Sequence, residues 1–174
     1  ERREPAQIGE DVADVAPVQR EDRVLAGAHD GVGHRRRKEA LELAQAVELR
    51  DQHGFTGLKL RLGRDHARDD VATVEAVRNT VGRDMHLMVD FNQGLDRGEA
   101  LERCHLIDDL GLAWIEEPLV YHDLDGHARL AAELATPIQI GENFYGPRDL
   151  AEALTRRASD LVMPDFMRIG GITG

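Results

Sequence analysis

The chain has 174 residues, 41% of them hydrophobic and 32% charged, with a formal net charge of -11. That suits one buried core, and so acidic a balance excludes a general nucleic-acid binder and loose attraction to anionic membranes. The single cysteine, Cys104, excludes an internal disulfide, and no apolar run approaches the roughly 20 residues of a membrane helix, so a cytoplasmic location is the default expectation.

Residues 1–22 are charged and aperiodic, and read as an irregular lead or the remnant of another domain. RVLAG (23–27) reads as a first strand. Arg35, Arg36, Arg37 and Lys38 read as a solvated helix start, followed by a helix through Leu41, Leu43 and Val47. A regular beat then sets in. LKLRL (58–62) leads to a helix carrying Val71, Val74, Val77 and Val81. HLMVD (86–90) leads to one carrying Leu101, Cys104 and Ile107, and LAWIE (112–116) to one carrying Leu130 and Leu134. IQIGE (138–142) leads to one with Leu150 and Leu154, and DLVMPD (160–165) closes the series. The helical apolar residues recur at the three- and four-residue spacing of one buried face. Cys104 falls on such a face and reads as a small buried residue. Pro147 is expected at a helix start, and Asp123 and Asp149 as cap or first-turn residues.

Strand alternating with helix predicts parallel strands joined by right-handed crossovers. With no Gly-rich phosphate loop, the α/β pattern of residues 23–174 predicts part of a (β/α)8 TIM-type barrel, about six of its eight strands. Two unpaired sheet edges would follow, which favours self-association into a homo-oligomer.

Asp90, Glu116 and Glu142 each end an apolar run, and successive acids lie 26 residues apart. Units of that length put the three carboxylates at the carboxyl ends of consecutive strands, the end of a barrel that carries active sites. Converging carboxylates repel unless protonated or bridged by a cation, and an all-oxygen set suits Mg²⁺. Spacing alone equally allows three acids separately paired with Lys or Arg. Lys59 and Arg61, two apart on one strand, point to the same side.

The words MVDFNQ, WIEEP, IGEN and MPDFMRIGG, in this order and at one-unit spacing, resemble the strand-end motifs of the mandelate racemase-like group of the enolase superfamily, from about Gly54 to Gly174. The resemblance implies that Asp90, Glu116 and Glu142 are Mg²⁺ ligands. It implies that the substrate is a small carboxylate, a 2-hydroxy acid or acid sugar. Residues 1–22 would then be what is left of an N-terminal capping domain. Lys59 matches the lysine that polarises the substrate carboxylate. Arg61 stands where the family's general base is a second lysine. Bringing a guanidinium near neutrality costs about 7 kcal/mol, so Arg61 reads as a persistent cation that binds substrate or enolate. Asp165 resembles the aspartate of an Asp–His dyad serving the opposite face, whose histidine is expected beyond Gly174. Asn92 reads as orienting metal-bound groups or substrate. Arg168 is open between supporting the site and pairing on the surface. Glu117 is expected to point behind its strand into a salt bridge, by strand alternation. His122 and His127 read as structural.

The chemistry implied is Mg²⁺-dependent removal of the proton alpha to a carboxylate, giving an enediolate, in a racemase or an acid-sugar dehydratase. The alternative is a truncated, catalytically inactive fragment of such an enzyme.

Overall fold

The structure, a computed structural model, describes residues 15–18 and 43–173. The strand expected at 23–27 and the basic run 35–38 lie outside the described residues. The elements run β1 (Val15–Val18), α1 (43–51), β2 (Gly57–Arg61), α2 (Ala67–Val81), β3 (His86–Asp90) and α3 (Arg97–Ile107). They continue with β4 (Ile115–Glu116), α4 (Leu124–Glu133), β5 (Ile138–Ile140), α5 (Gly146–Arg156), β6 (Leu161–Val162) and α6 (Phe166–Ile169). Among the described residues the strands form one sheet, all parallel, in sequential order β1 to β6. Sequential parallel order with intervening helices is the wall of a (β/α)8-type barrel, in part.

One expectation is corrected here. A strand forms over Val15–Val18, inside the segment read as an irregular lead. VAPV is short, sits among charges, and contains Pro17, which cannot donate to a ladder. An edge position tolerates that defect, and among the described residues β1 pairs only with β2.

Side chains divide by alternation. Leu58, Leu60, Leu87, Val89, Ile115, Ile138 and Ile140 are buried and join Val74, Val77, Cys104, Ile107 and Leu130 of the helices in one apolar core. Burial of that layer, at roughly 25 cal/mol per Å² of apolar surface, is what drives the wall together. The other face carries Lys59, Arg61, Met88, Asp90, Trp114, Glu116 and Gln139. Met88 and Trp114 are buried but stand outside the apolar core. Cys104 is fully buried, and burial pushes its thiol up to about 12, as suits a packing residue.

The helix ends follow the chain chemistry. Asp96 caps α3 with a complete capping box with Glu99, and Asp123 caps α4 by accepting from the Gly126 N–H. Pro147 opens α5, and Asp149 accepts from the Tyr145 N–H at 2.9 Å. Leu154, expected on a buried face, is exposed, because α5 has a long helix on one side only and the four-residue α6 on the other. Among the described residues no helix is long and apolar enough to cross a membrane.

Candidate active site

The carboxyl ends of the strands bring the polar residues of the inner face together. Arg61, Asp90, Glu116 and Gln139 are lateral neighbours in register on β2, β3, β4 and β5. Lys59 lies one pleat earlier, and its long side chain reaches diagonally. Its Nζ donates to Glu116 Oε1 at 2.6 Å and stands 3.6 Å from Asp90 Oδ2. Arg61 Nη2 is 3.6 Å from Asp90 Oδ2, and Arg61 Nη1 donates to Asn92 Oδ1.

Asp90 is held by its own loop. The Asn92 N–H donates to Asp90 Oδ1 at 2.7 Å, closing an Asx turn, and Asn92 takes a left-handed φ of 52° to do so. Glu116 is 1% exposed and its Oε2 accepts from Trp114 Nε1 at 3.3 Å. Burial pushes the Glu116 carboxyl above its usual range. Lys59 opposes that shift, and the neighbouring charge of Asp90 reinforces it. A buried carboxylate crowded by a second one is a place where added positive charge is favourable.

Glu142 follows at the next strand end, with a different setting. β5 stops at Ile140 because Gly141, at φ 138°, turns the chain there. A Cβ on Gly141 would sit 3.1 Å from the Met163 nitrogen. Glu142 Oε1 accepts from Asn143 Nδ2 at 3.3 Å. Arg168 Nη1 donates to the Glu142 carbonyl oxygen at 2.9 Å and to Asn143 Oδ1 at 2.5 Å. Arg168 therefore ties down the loop that carries Glu142. Asp165 caps α6, accepting from the Met167 N–H at 2.7 Å, and its Oδ2 is 3.8 Å from Arg168 Nε.

Glu117 departs from expectation. Alternation ends with β4 at Glu116, and Glu117 adopts a φ of 37°. Its carboxylate stays on the side of the strand-end loops, fully buried. Its Oε2 accepts from Asn143 Nδ2 at 2.9 Å, and among the described residues it makes no salt bridge behind the strand. Burial, then the charge of Glu142, raise its carboxyl to about 7, against the Asn143 hydrogen bond and the nearby donors of Gln93 and Gly141.

Asp90 and Glu116 thus meet around the Lys59 ammonium, and Glu142 stands with Glu117 and Asn143. Among the described residues no three His, Cys, Asp or Glu side chains stand close enough, as placed, to clasp an ion. The cation now joining Asp90 to Glu116 is Lys59. The donor chemistry still fits Mg²⁺: three carboxylates on neighbouring strand ends, all oxygen, one of them destabilised by burial beside another. His122 is in edge contact with Tyr121, and His127 is buried in α4, away from these groups. The sequence reading passed over Asn143, Gln93 and Trp114, although IGEN, FNQ and WIEEP contain them.

A sequence profile of the enolase C-terminal domain-like family matches residues 41–174. The L-talarate/galactarate dehydratase of Salmonella typhimurium is 39% identical over 132 residues, covering 76% of this chain and 33% of that enzyme. A crystal structure of an enolase from the alpha proteobacterium bal199 with bound Mg superposes with a TM-score of 0.74 at 59% identity, over 78% of this chain and 38% of the other. An enolase from Bradyrhizobium complexed with magnesium and mandelic acid superposes with a TM-score of 0.75 at 41% identity, over the same shares. The chain spans about a third of the length of the curated relatives it matches.

Proposed function

Because this chain belongs to the enolase C-terminal domain-like family, in its mandelate racemase-like group, we propose that it carries the metal-binding and cationic part of a site that removes the proton alpha to the carboxylate of a 2-hydroxy acid. The observation that carries this reading is the in-register row Arg61, Asp90 and Glu116, with Lys59 laid across it. Asp90, Glu116 and Glu142 would hold the ion. When bound, Mg²⁺ supplies Lewis-acid stabilisation of the charge that develops on the substrate carboxylate.

The chain's own residues do the rest. Lys59 is the ammonium best placed to bind and polarise that carboxylate, since it already pairs with Glu116 and Asp90. Arg61, held by Asn92 and Asp90, adds positive charge where the enediolate forms. Asn92 orients both Asp90 and Arg61. By the family resemblance Asp165, with Arg168 beside it, would belong to the Asp–His dyad that takes the proton at the opposite face. With a guanidinium in place of one lysine base, the arrangement suits a reaction that needs one base, such as dehydration of an acid sugar, better than two-base racemisation. The dehydratase relative and the mandelic acid complex stand on either side of that choice.

The test is exchange of the alpha proton in deuterated water with Mg²⁺, followed by NMR on galactarate and on mandelate. Exchange is expected with one substrate and lost in Asp90→Asn and in Glu116→Gln. Exchange unchanged in both variants overturns the reading.

A further inference from the structure

Glu117 has no part in the proposed chemistry, yet it is the most enclosed carboxylate among the described residues, with 0% exposure. One oxygen, Oε1, is buried with no hydrogen-bond partner among the described residues. The other accepts from Asn143. Its main chain joins the neighbouring loops: the Gln93 N–H donates to the Glu117 carbonyl at 2.7 Å, and the Glu117 N–H donates to the Gln139 carbonyl at 3.0 Å. Gln93 continues the connection, its Oε1 accepting from the Tyr121 N–H at 2.9 Å.

Asn143 is the crossbar. Its Nδ2 donates to Glu117 Oε2 at 2.9 Å and to Glu142 Oε1 at 3.3 Å, and its Oδ1 accepts from Arg168. The Arg168 nitrogen that reaches Asn143 also reaches the Glu142 carbonyl. One side-chain amide and one guanidinium therefore grip Glu142 at its carboxylate and its backbone. The grip is anchored on a carboxylate adjacent in sequence to Glu116. The loops following β3, β4 and β5 and the helix α6 after β6 are all tied into it.

We propose that Glu117, Asn143 and Arg168 form a brace that sets the Glu142 carboxylate relative to Glu116, and that Glu117 and Asn143 are positioning residues for a divalent cation. The inference rests on the metal-site reading above. Its chemistry is that of groups which hold ligands in place, whose loss typically lowers metal affinity by 10–100-fold without removing a ligand. The brace needs an acceptor at position 117 and not a charge, so a glutamine there preserves it.

The experiment is Mn²⁺ binding to the full chain, by electron paramagnetic resonance of the unbound ion and by calorimetry. It compares wild type, Glu116→Gln, Asn143→Ala, Glu117→Ala and Glu117→Gln, with urea unfolding of each. Expected are a roughly 10–100-fold weaker Mn²⁺ affinity in Asn143→Ala and Glu117→Ala, and an affinity close to wild type in Glu117→Gln. Asn143→Ala is expected to lower the urea midpoint but to unfold cooperatively, and Mn²⁺ binding is read without urea, where the variant is folded, which separates positioning from folding. Asn143→Ala and Glu117→Ala binding within twofold of wild type, while Glu116→Gln loses the ion, overturns the brace and leaves the metal site standing. No Mn²⁺ binding by wild type overturns the metal-site reading and the brace with it.

Discussion

The two ends of the sheet use polar groups in opposite ways. At the amino ends of the strands, polar side chains close on the backbone. Arg78 donates to the carbonyls of Gly82, Met85 and Gly111 at 2.6–3.0 Å. Asp108 accepts from the Ala135 and Thr136 N–H groups, and Asp160 from the Ile138 N–H. Where the chain must adopt a positive φ before β2, β3 and β4, it does so at Gly54, Gly82 and Gly111. At the carboxyl ends, polar side chains close on one another, and Asn92, Gln93 and Glu117 take positive φ while carrying functional side chains. Such residues cost of order 1 kcal/mol or more each. The strain falls mostly where the side chain matters; at the amino ends Arg157, the residue that ends α5 before β6, is the exception at φ 53°.

The contrast can be broken first at the support of the β2 loop. Asp70, 1% exposed, accepts from the Gly63 and Arg64 N–H groups and from Arg103 Nη1 at 2.8 Å, while Arg103 also holds the Arg64 carbonyl. Arg103→Met leaves a buried carboxylate without its cation, so a loss of about 3–5 kcal/mol in urea unfolding is expected. A loss under about 1 kcal/mol would show that the loop relaxes and hydrates Asp70. Next in size is Glu116→Gln. Proton exchange should fall by roughly 10²–10³, the scale of losing one preorganised electrostatic contact. Because the folded environment disfavours the charged Glu116, the metal-free urea midpoint should hold or rise. Function and stability then move in opposite directions, as a site under electrostatic strain requires. At the amino end the reverse is expected. Arg78→Ala removes three bonds to carbonyls and should cost about 1–3 kcal/mol of stability, while leaving the exchange rate per folded molecule unchanged.

How far the sequence disclosed this contrast depends on whether an element obeys a period. β3 was legible to the residue, since HLMVD has a polar and a charged end, apolar centre and flanking breakers. Asp90 and Glu116 were placed at strand ends by the same pattern. Glu142 was placed one unit on, but the strand ends two residues earlier at a glycine whose geometry depends on the neighbouring β6 loop. Glu117 was misplaced, because alternation holds only while the strand lasts, and β4 stops one residue short of it. The bond that keeps it on the site side comes from Asn143, 26 residues away, a tertiary contact with no local signal. β1 was hidden by its proline and charged surroundings, and its pairing with β2 is visible only in space. Asp165 and Arg168 were picked out by motif, while their helix cap and loop support are matters of side-chain geometry.

The smallest effect concerns His127, which tests whether a buried ring away from the site is structural. The imidazole is fully buried in α4. Its Nδ1 donates to the Asp123 carbonyl at 3.0 Å, and its Nε2 has no partner among the described residues. Burial depresses its pKa to about 4, against the pull of Asp123. In the unfolded chain the ring titrates near 6.5, so below that pH the unfolded state takes up a proton that the folded state refuses. The associated stability is fully present above pH 6.5 and is lost as pH falls toward 4. By about pH 5 the loss amounts to about 2 kcal/mol. His127→Gln has no such titration, so its urea midpoint should fall less than that of wild type between about pH 7 and pH 5. Equal acid sensitivity in the two proteins would mean that the ring is charged in the fold, and would move His127 out of the packing role that its position in α4 assigns.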